Sequence, residues 1–214
     1  MLGIAHFPFF IVAVLLLNAT PGPDTAYIVG RSVSQGRGAG LVSALGISLG
    51  CCVHSLACAF GLTALLAASA AAFTVIKVVG AVYLVYLGVM LLLKKPAADL
   101  REEAPPPPAA ATRSLRALFL QGFWTNVLNP KVVLFFVSFF PQFVSADSAH
   151  KTLAFLALGA VFVLMSTGWN SGVAWLAGTI TRRVGRNPSL RRWIDRVIGS
   201  AFVGLGLKLA TVHR

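Results

Sequence analysis

The run Asn18-Ala19-Thr20-Pro21-Gly22-Pro23-Asp24 sets two prolines, a glycine and three polar side chains inside an otherwise apolar stretch. Each proline removes an amide donor and frees a carbonyl one turn earlier, while Gly22 permits a non-helical dihedral or a close backbone approach. In hydrocarbon such groups must be sheltered by protein or by a wet cavity, so this backbone is expected to line something hydrated. A purely structural kink is the alternative.

Asp24 is the carboxylate expected inside a membrane stretch. Facing lipid would cost about 2.5–3.5 kcal/mol, so the side chain should turn to the bundle interior and either pair or bind a proton. It is therefore a candidate proton acceptor or ligand for an ammonium group; capping the resumed helix is the competing role.

A second break, Asn126-Val127-Leu128-Asn129-Pro130-Lys131, interrupts a later apolar run. The amides of Asn126 and Asn129 both donate and accept, and can hold the polar ends of a zwitterion or the opposite broken helix. Lys131 demands a partner, a cavity or a snorkelled position. If the halves pack about a two-fold, Asp24 and Lys131 occupy related sites, and a direct contact between them is one of the pairings open to Lys131. His54 is a candidate proton relay, though a satisfied interior histidine is the blander role. Asn170, between Gly168-Trp169 and Gly172, is a pocket candidate. Lys77 is expected to snorkel, Tyr83 and Tyr86 to hydrogen-bond inside, and Trp169, Trp175 and Trp193 to mark interfaces.

The elements that carry these residues are apolar helices. The chain is 57% hydrophobic and 11% charged, with 15 Phe among 214 residues, more apolar surface than a soluble domain of this length can hide. Stretches at 4–29, 40–66, 73–93, 118–140, 152–176 and 193–209 predict an all-α polytopic membrane protein of about six transmembrane helices. Polar or turn segments separate them at 31–37, 67–72, 94–116, 141–150 and 182–192. The opening stretch lacks a basic start and a small-residue cleavage site, so it is expected to remain as a helix rather than be removed. Pro105 to Pro108 cannot continue a helix, which divides the chain into a three-helix half at 1–93, a proline-rich linker at 94–117 and a second half at 118–214.

The net charge of +12 has the sign that nucleic-acid binders carry. Lys and Arg instead cluster in the gaps after the first, third and fifth helices, a membrane pattern that makes those loops cytoplasmic and leaves both termini outside. Three helices per half inverts the second half relative to the first. Discontinuous helices 1 and 4 then match an inverted 3+3 repeat with a solute site at the breaks.

Cys51, Cys52 and Cys58 read as small buried hydrophobes, without metal-site spacing. No zinc cluster, nucleotide-binding glycine loop or nucleophile–base set is present in the sequence, so no cofactor and no metal is expected and an enzyme is disfavoured. Glycine pairs Gly36/Gly40, Gly46/Gly50 and Gly168/Gly172 are four apart and permit close helix approach, within the chain or in a homo-oligomer.

The first motif, followed by Gly36-Arg37-Gly38-Ala39-Gly40-Leu41 and Gly46, and the second, continued by Phe135-Phe136 and Phe139-Phe140-Pro141-Gln142-Phe143, strongly resemble the lysine exporter / homoserine-threonine exporter superfamily. The resemblance covers essentially the whole chain. It implies a bacterial inner-membrane exporter of amino acids or related metabolites, driven by the proton gradient, whose important positions map to Pro21, Gly22, Pro23 and Asp24 and to Asn129, Pro130 and Lys131. The substrate expected is a small zwitterionic or cationic amino acid. An uncoupled facilitator and a membrane scaffold or sensor docking through the linker are the rival readings.

Overall fold

Proline decides where the first membrane segment breaks. In the computed structural model, which describes residues 2–62, 114–145 and 147–179 with isolated helical positions at 64, 75, 78, 82, 85, 86, 89, 93, 196, 200 and 203, helix α1 (Phe7–Ala19) stops at Thr20. Pro21 has no N–H to offer Leu17 O, and the chain turns extended at Thr20 (φ −72°, ψ 119°). Gly22, also extended, leads into α2 (Pro23–Gln35), where Pro23 takes the first helical position, a place that needs no donor. The two helices are bent by 53°.

The polar segment expected at 31–37 is not a loop. Residues 31–35 continue α2, and the joint to α3 (Arg37–Ala57) is Gly36 alone, at φ 86°. That left-handed dihedral strains any residue with a Cβ, which is why one glycine reverses the chain. A π turn, Cys58–Leu62, ends α3. In the second half α4 (Leu115–Val127) begins with the Ser114 hydroxyl capping Ala117 N at 3.3 Å, so residues 115–117 of the expected linker are already helical. The second break leads to α5 (Pro130–Ser138), with Pro130 at its first position and a bend of 48°. The segment expected as a plain turn from 141 starts as a 3₁₀ turn, Phe140–Phe143. The long α6 spans Lys151–Thr179. The expected spans at 73–93 and 193–209, with Lys77, Tyr83 and Trp193, the basic run 182–192 and the linker before residue 114, lie outside the described residues save for the isolated helical positions.

The described elements are helical apart from one antiparallel bridge, Ile4 to Val144, which ties the N-terminal residues to the end of the second broken pair. Ala5 N donates to Phe143 O and Ser145 N to Gly3 O, each at 2.8 Å. Beneath the bridge the phenylalanines fill the core. Phe10 meets Phe143 edge-on at 5.1 Å, and Phe136 stacks on Phe140 at 4.3 Å.

Helix α3 packs between α4 and α6, and it gets close because glycines stand at the contacts. A Cβ on Gly50 would stand 2.6 Å from Asn126 Oδ1, and one on Gly122 would stand 2.5 Å from Ser43 O. Gly168 and Gly172, by contrast, have nothing within 4 Å of a Cβ. Arg37–Gly61 and Lys151–Thr179 are long and apolar enough to cross a membrane, and each bent pair passes as one further span, giving two to four crossings among the described residues. Leu45 and Leu56 of α3 and Phe60 of the π turn stand half or more exposed, as side chains facing acyl chains would.

Candidate functional site

Both breaks come to one place. Asn18, Asp24, Asn126, Lys131 and Asn170, with Ser166 and Phe162 of α6, line a cavity of about 20 Å³ between α1, α2, α3, α4, α5 and α6. On that measure it holds a water molecule, not an amino acid.

Asp24 is the second residue of α2 and Lys131 the second residue of α5, each directly after the proline that restarts its helix. They do not satisfy each other. Asp24 Oδ2 accepts from Asn126 Nδ2 at 2.8 Å, and Lys131 Nζ donates to Leu17 O at 2.9 Å and Thr20 O at 2.8 Å. The expected direct Asp24–Lys131 contact is thus replaced by bonds from Lys131 to the carbonyls at the end of α1. The reason is local: Leu17 O is the acceptor that Pro21 leaves without a helical donor, and the carbonyl end of a helix attracts a cation. Gly22 makes room, since a Cβ there would lie 3.3 Å from Nζ.

Asn129, only 1% exposed, caps α5 through Oδ1, which accepts from Lys131 N at 3.1 Å. Thr20 turns its hydroxyl back to Leu16 O, and Asn18 Nδ2 bridges Val14 O and the Ser166 hydroxyl at 3.1 Å, joining the first break to α6. His54 Nε2 lies 3.1 Å from Asn126 O, and its ring stacks on Phe136. A carbonyl only accepts, so Nε2 carries the proton in that contact and His54 is a satisfied interior group one residue behind the cavity wall. Pro21 and Pro23 shape the break without lining the cavity, as Pro130 does in the second.

Among the described residues, the buried atoms Asp24 Oδ1, Asn126 Oδ1 and Asn129 Nδ2 make no hydrogen bond. An acceptor left bare beside a water-sized space costs stability unless something else fills it, which marks the carboxylate as a receiving group. Among the described residues no group of three or more His, Cys, Asp or Glu side chains is arranged to hold a metal. Cys51 and Cys58 are buried and Cys52 half-buried; Cys51 also lines the cavity, a role beyond the small hydrophobe expected.

Ser166 and Phe162 were not singled out from sequence. The signal was there for Ser166, which stands four residues before Asn170 and so shares its face on α6. No such signal existed for the carbonyl oxygens of Leu17 and Thr20 as ligands of a lysine more than a hundred residues away.

At the cytoplasmic end of the expected topology, Tyr27 donates to Leu118 O at 2.8 Å. Arg31 lies over the Tyr27 ring and donates to Gln121 Oε1 at 3.0 Å. These contacts tie α2 to α4 on one side of the cavity. The phenylalanine core and the Ile4–Val144 bridge close the other.

A multi-pass helical protein whose two broken helices converge on a polar, water-sized cavity is built as a membrane transporter. Residues 15–213 match the family model described as LysE type translocator, and the chain belongs to that family. It is a transporter, not an enzyme. It is 33% identical over 216 residues to an uncharacterised membrane protein of Pseudomonas aeruginosa, covering 98% of this chain and 97% of the relative. It is 27% identical over 211 residues to the leucine efflux protein of Salmonella typhimurium, covering 99% and 97% of the two chains. The leucine efflux protein of Enterobacter sp. (strain 638) is also 27% identical over 211 residues, with 99% and 98% covered. No solved structure matches the chain.

Proposed function

We propose that this chain exports an amino acid or closely related small metabolite across the bacterial inner membrane, driven by the proton gradient. The observation that carries the reading is the convergence of both breaks on one cavity lined by a carboxylate, Asp24, whose Oδ1 makes no hydrogen bond among the described residues. The leucine efflux relatives support an amino acid as cargo.

The full architecture in this reading is six helices in two inverted halves, 1–93 and 118–214, joined by the proline-rich linker 94–117. The equivalent placement of Asp24 and Lys131, each second in a resumed helix, supports that symmetry. The basic gaps face the cytoplasm and both termini face outside. Membrane lipid covers the exposed apolar faces, and the small-residue faces permit a homo-oligomer. A proton taken up or released at Asp24 sets direction, and one charge crossing 100 mV contributes about 2.3 kcal/mol to the work. Because the cavity is water-sized, substrate enters only when one half rocks against the other.

The test is efflux of labelled amino acids from vesicles reconstituted with the purified chain, with and without an imposed proton gradient. Efflux that stops when the gradient is collapsed is the expected result. Movement that follows the substrate gradient alone would make the protein a facilitator. No movement of any solute in the panel would leave a scaffold.

A further inference from the structure

We infer that the carbonyl pair Leu17 O and Thr20 O is the seat of the substrate's ammonium group, and that Lys131 is its tethered occupant in the unloaded protein. The inference rests on the transport reading above and gives that reading its recognition chemistry.

The seat already holds a side-chain amine nitrogen. Lys131 Nζ meets the two carbonyls at 2.9 and 2.8 Å, ordinary lengths for a charged donor. The acceptors are fixed by the chain rather than recruited: Pro21 leaves Leu17 O without a helical partner, and Thr20 O belongs to the extended residue at which α1 ends. The carbonyl end of a helix favours positive charge. Gly22 leaves the side of the seat open, because a Cβ there would come within 3.3 Å of Nζ and 3.5 Å of the carbon that bears it. A quaternary ammonium has no N–H to give the two carbonyls.

Lys131 and the cavity share a wall, so an amino acid entering the cavity arrives beside the seat. Its ammonium displaces Nζ from the carbonyls, and the freed lysine meets the substrate's carboxylate. One ammonium leaves the seat and one enters, so no charge in the low-dielectric interior is left without a partner. Withdrawal of the lysine stem also enlarges a space that is only water-sized. A solute without an ammonium cannot displace the lysine. One without a carboxylate strands it. The pair of requirements selects α-amino acids whatever their side chain.

The experiment is chemical rescue. Lys131→Ala removes the three terminal methylenes and the nitrogen, the outline of n-propylammonium. Millimolar n-propylammonium should raise the midpoint of thermal unfolding of the purified variant by roughly 3 °C, leave the wild type unmoved, and be matched by neither tetramethylammonium nor sodium at equal ionic strength. Equal effects of all three ions would overturn the seat. If Lys131→Ala does not accumulate, the wild type is tested with leucine and lysine against their 2-hydroxy acids and amides. Stabilisation by an intact amino acid and by neither analogue supports the exchange; a hydroxy acid as effective as its amino acid, or no shift with either amino acid, overturns it. Rescue in a protein whose wild type moves no amino acid would retain the ammonium seat and discard the transport reading. Transport without rescue would do the reverse.

Discussion

Asn126 holds Asp24 from across the two halves of the chain: Nδ2 donates to Asp24 Oδ2 at 2.8 Å while the same residue's backbone carbonyl meets His54 Nε2. One buried residue therefore fixes the carboxylate of the first break to the end of α4 and to α3.

Removing that donor strips the buried Asp24 Oδ2 of its hydrogen bond. Asn126→Ala is expected to lower unfolding stability by about 1–3 kcal/mol. The measurement is the thermal midpoint in detergent, with Asn170→Ala, whose side chain is not bonded to the carboxylate, as the comparison. Equal losses in the two variants would show that the amide does not hold Asp24.

Asp24→Asn keeps the shape of the side chain and removes its ability to gain and lose a proton. Gradient-driven efflux should fall at least tenfold in vesicles while the amount of inserted protein is unchanged. Undiminished driven efflux would take the coupling role away from this residue.

The α3–α4 contact depends on glycine at positions where no side chain fits. Gly50→Ala would press on Asn126, and Gly122→Ala on the Ser43 carbonyl; each should cost about 1–3 kcal/mol. Gly168→Ala, with open space at its Cβ, should cost less than about 0.5 kcal/mol. Thermal midpoints of the three variants, measured side by side, check the order.

The bonds Tyr27 to Leu118 O and Arg31 to Gln121 Oε1 close one side of the cavity with a few polar contacts. We expect Tyr27→Phe combined with Gln121→Ala to speed alkylation of Cys51 from the cytoplasmic side severalfold. The readout is reaction with a membrane-impermeant thiol reagent, in a background where Cys52 and Cys58 are serine. Faster labelling from the opposite side only would reverse the assigned orientation.

Closure on the other side is aromatic. Phe10 is fully buried, with edge contacts to Phe140 at 5.4 Å and Phe143 at 5.1 Å. Phe10→Ala should cost about 3–5 kcal/mol, read as a lowered midpoint of thermal unfolding, since the void forfeits both transfer and packing energy.

The sequence alone determined the class of protein and the places where its helices break. Hydrocarbon demands long apolar runs, and proline cannot donate, so composition and Pro21, Pro23 and Pro130 are sufficient for both conclusions. It also supplied the motifs that carry the family and the polar residues Asn18, Asp24, Asn126, Lys131 and Asn170 of the cavity wall. The partners were decided only by tertiary structure. Local reading left the partner of Lys131 open, with Asp24 as one option; the lysine goes to Leu17 O and Thr20 O and the carboxylate to Asn126. His54 turned out to be bonded to a carbonyl, and Ser166 to bridge to Asn18. Each of these contacts joins residues 72 to 148 positions apart. Hydropathy and proline position act within a turn or two of the chain, whereas which acceptor a cation reaches depends on how separate helices cross, and that is set by the packing of all of them together.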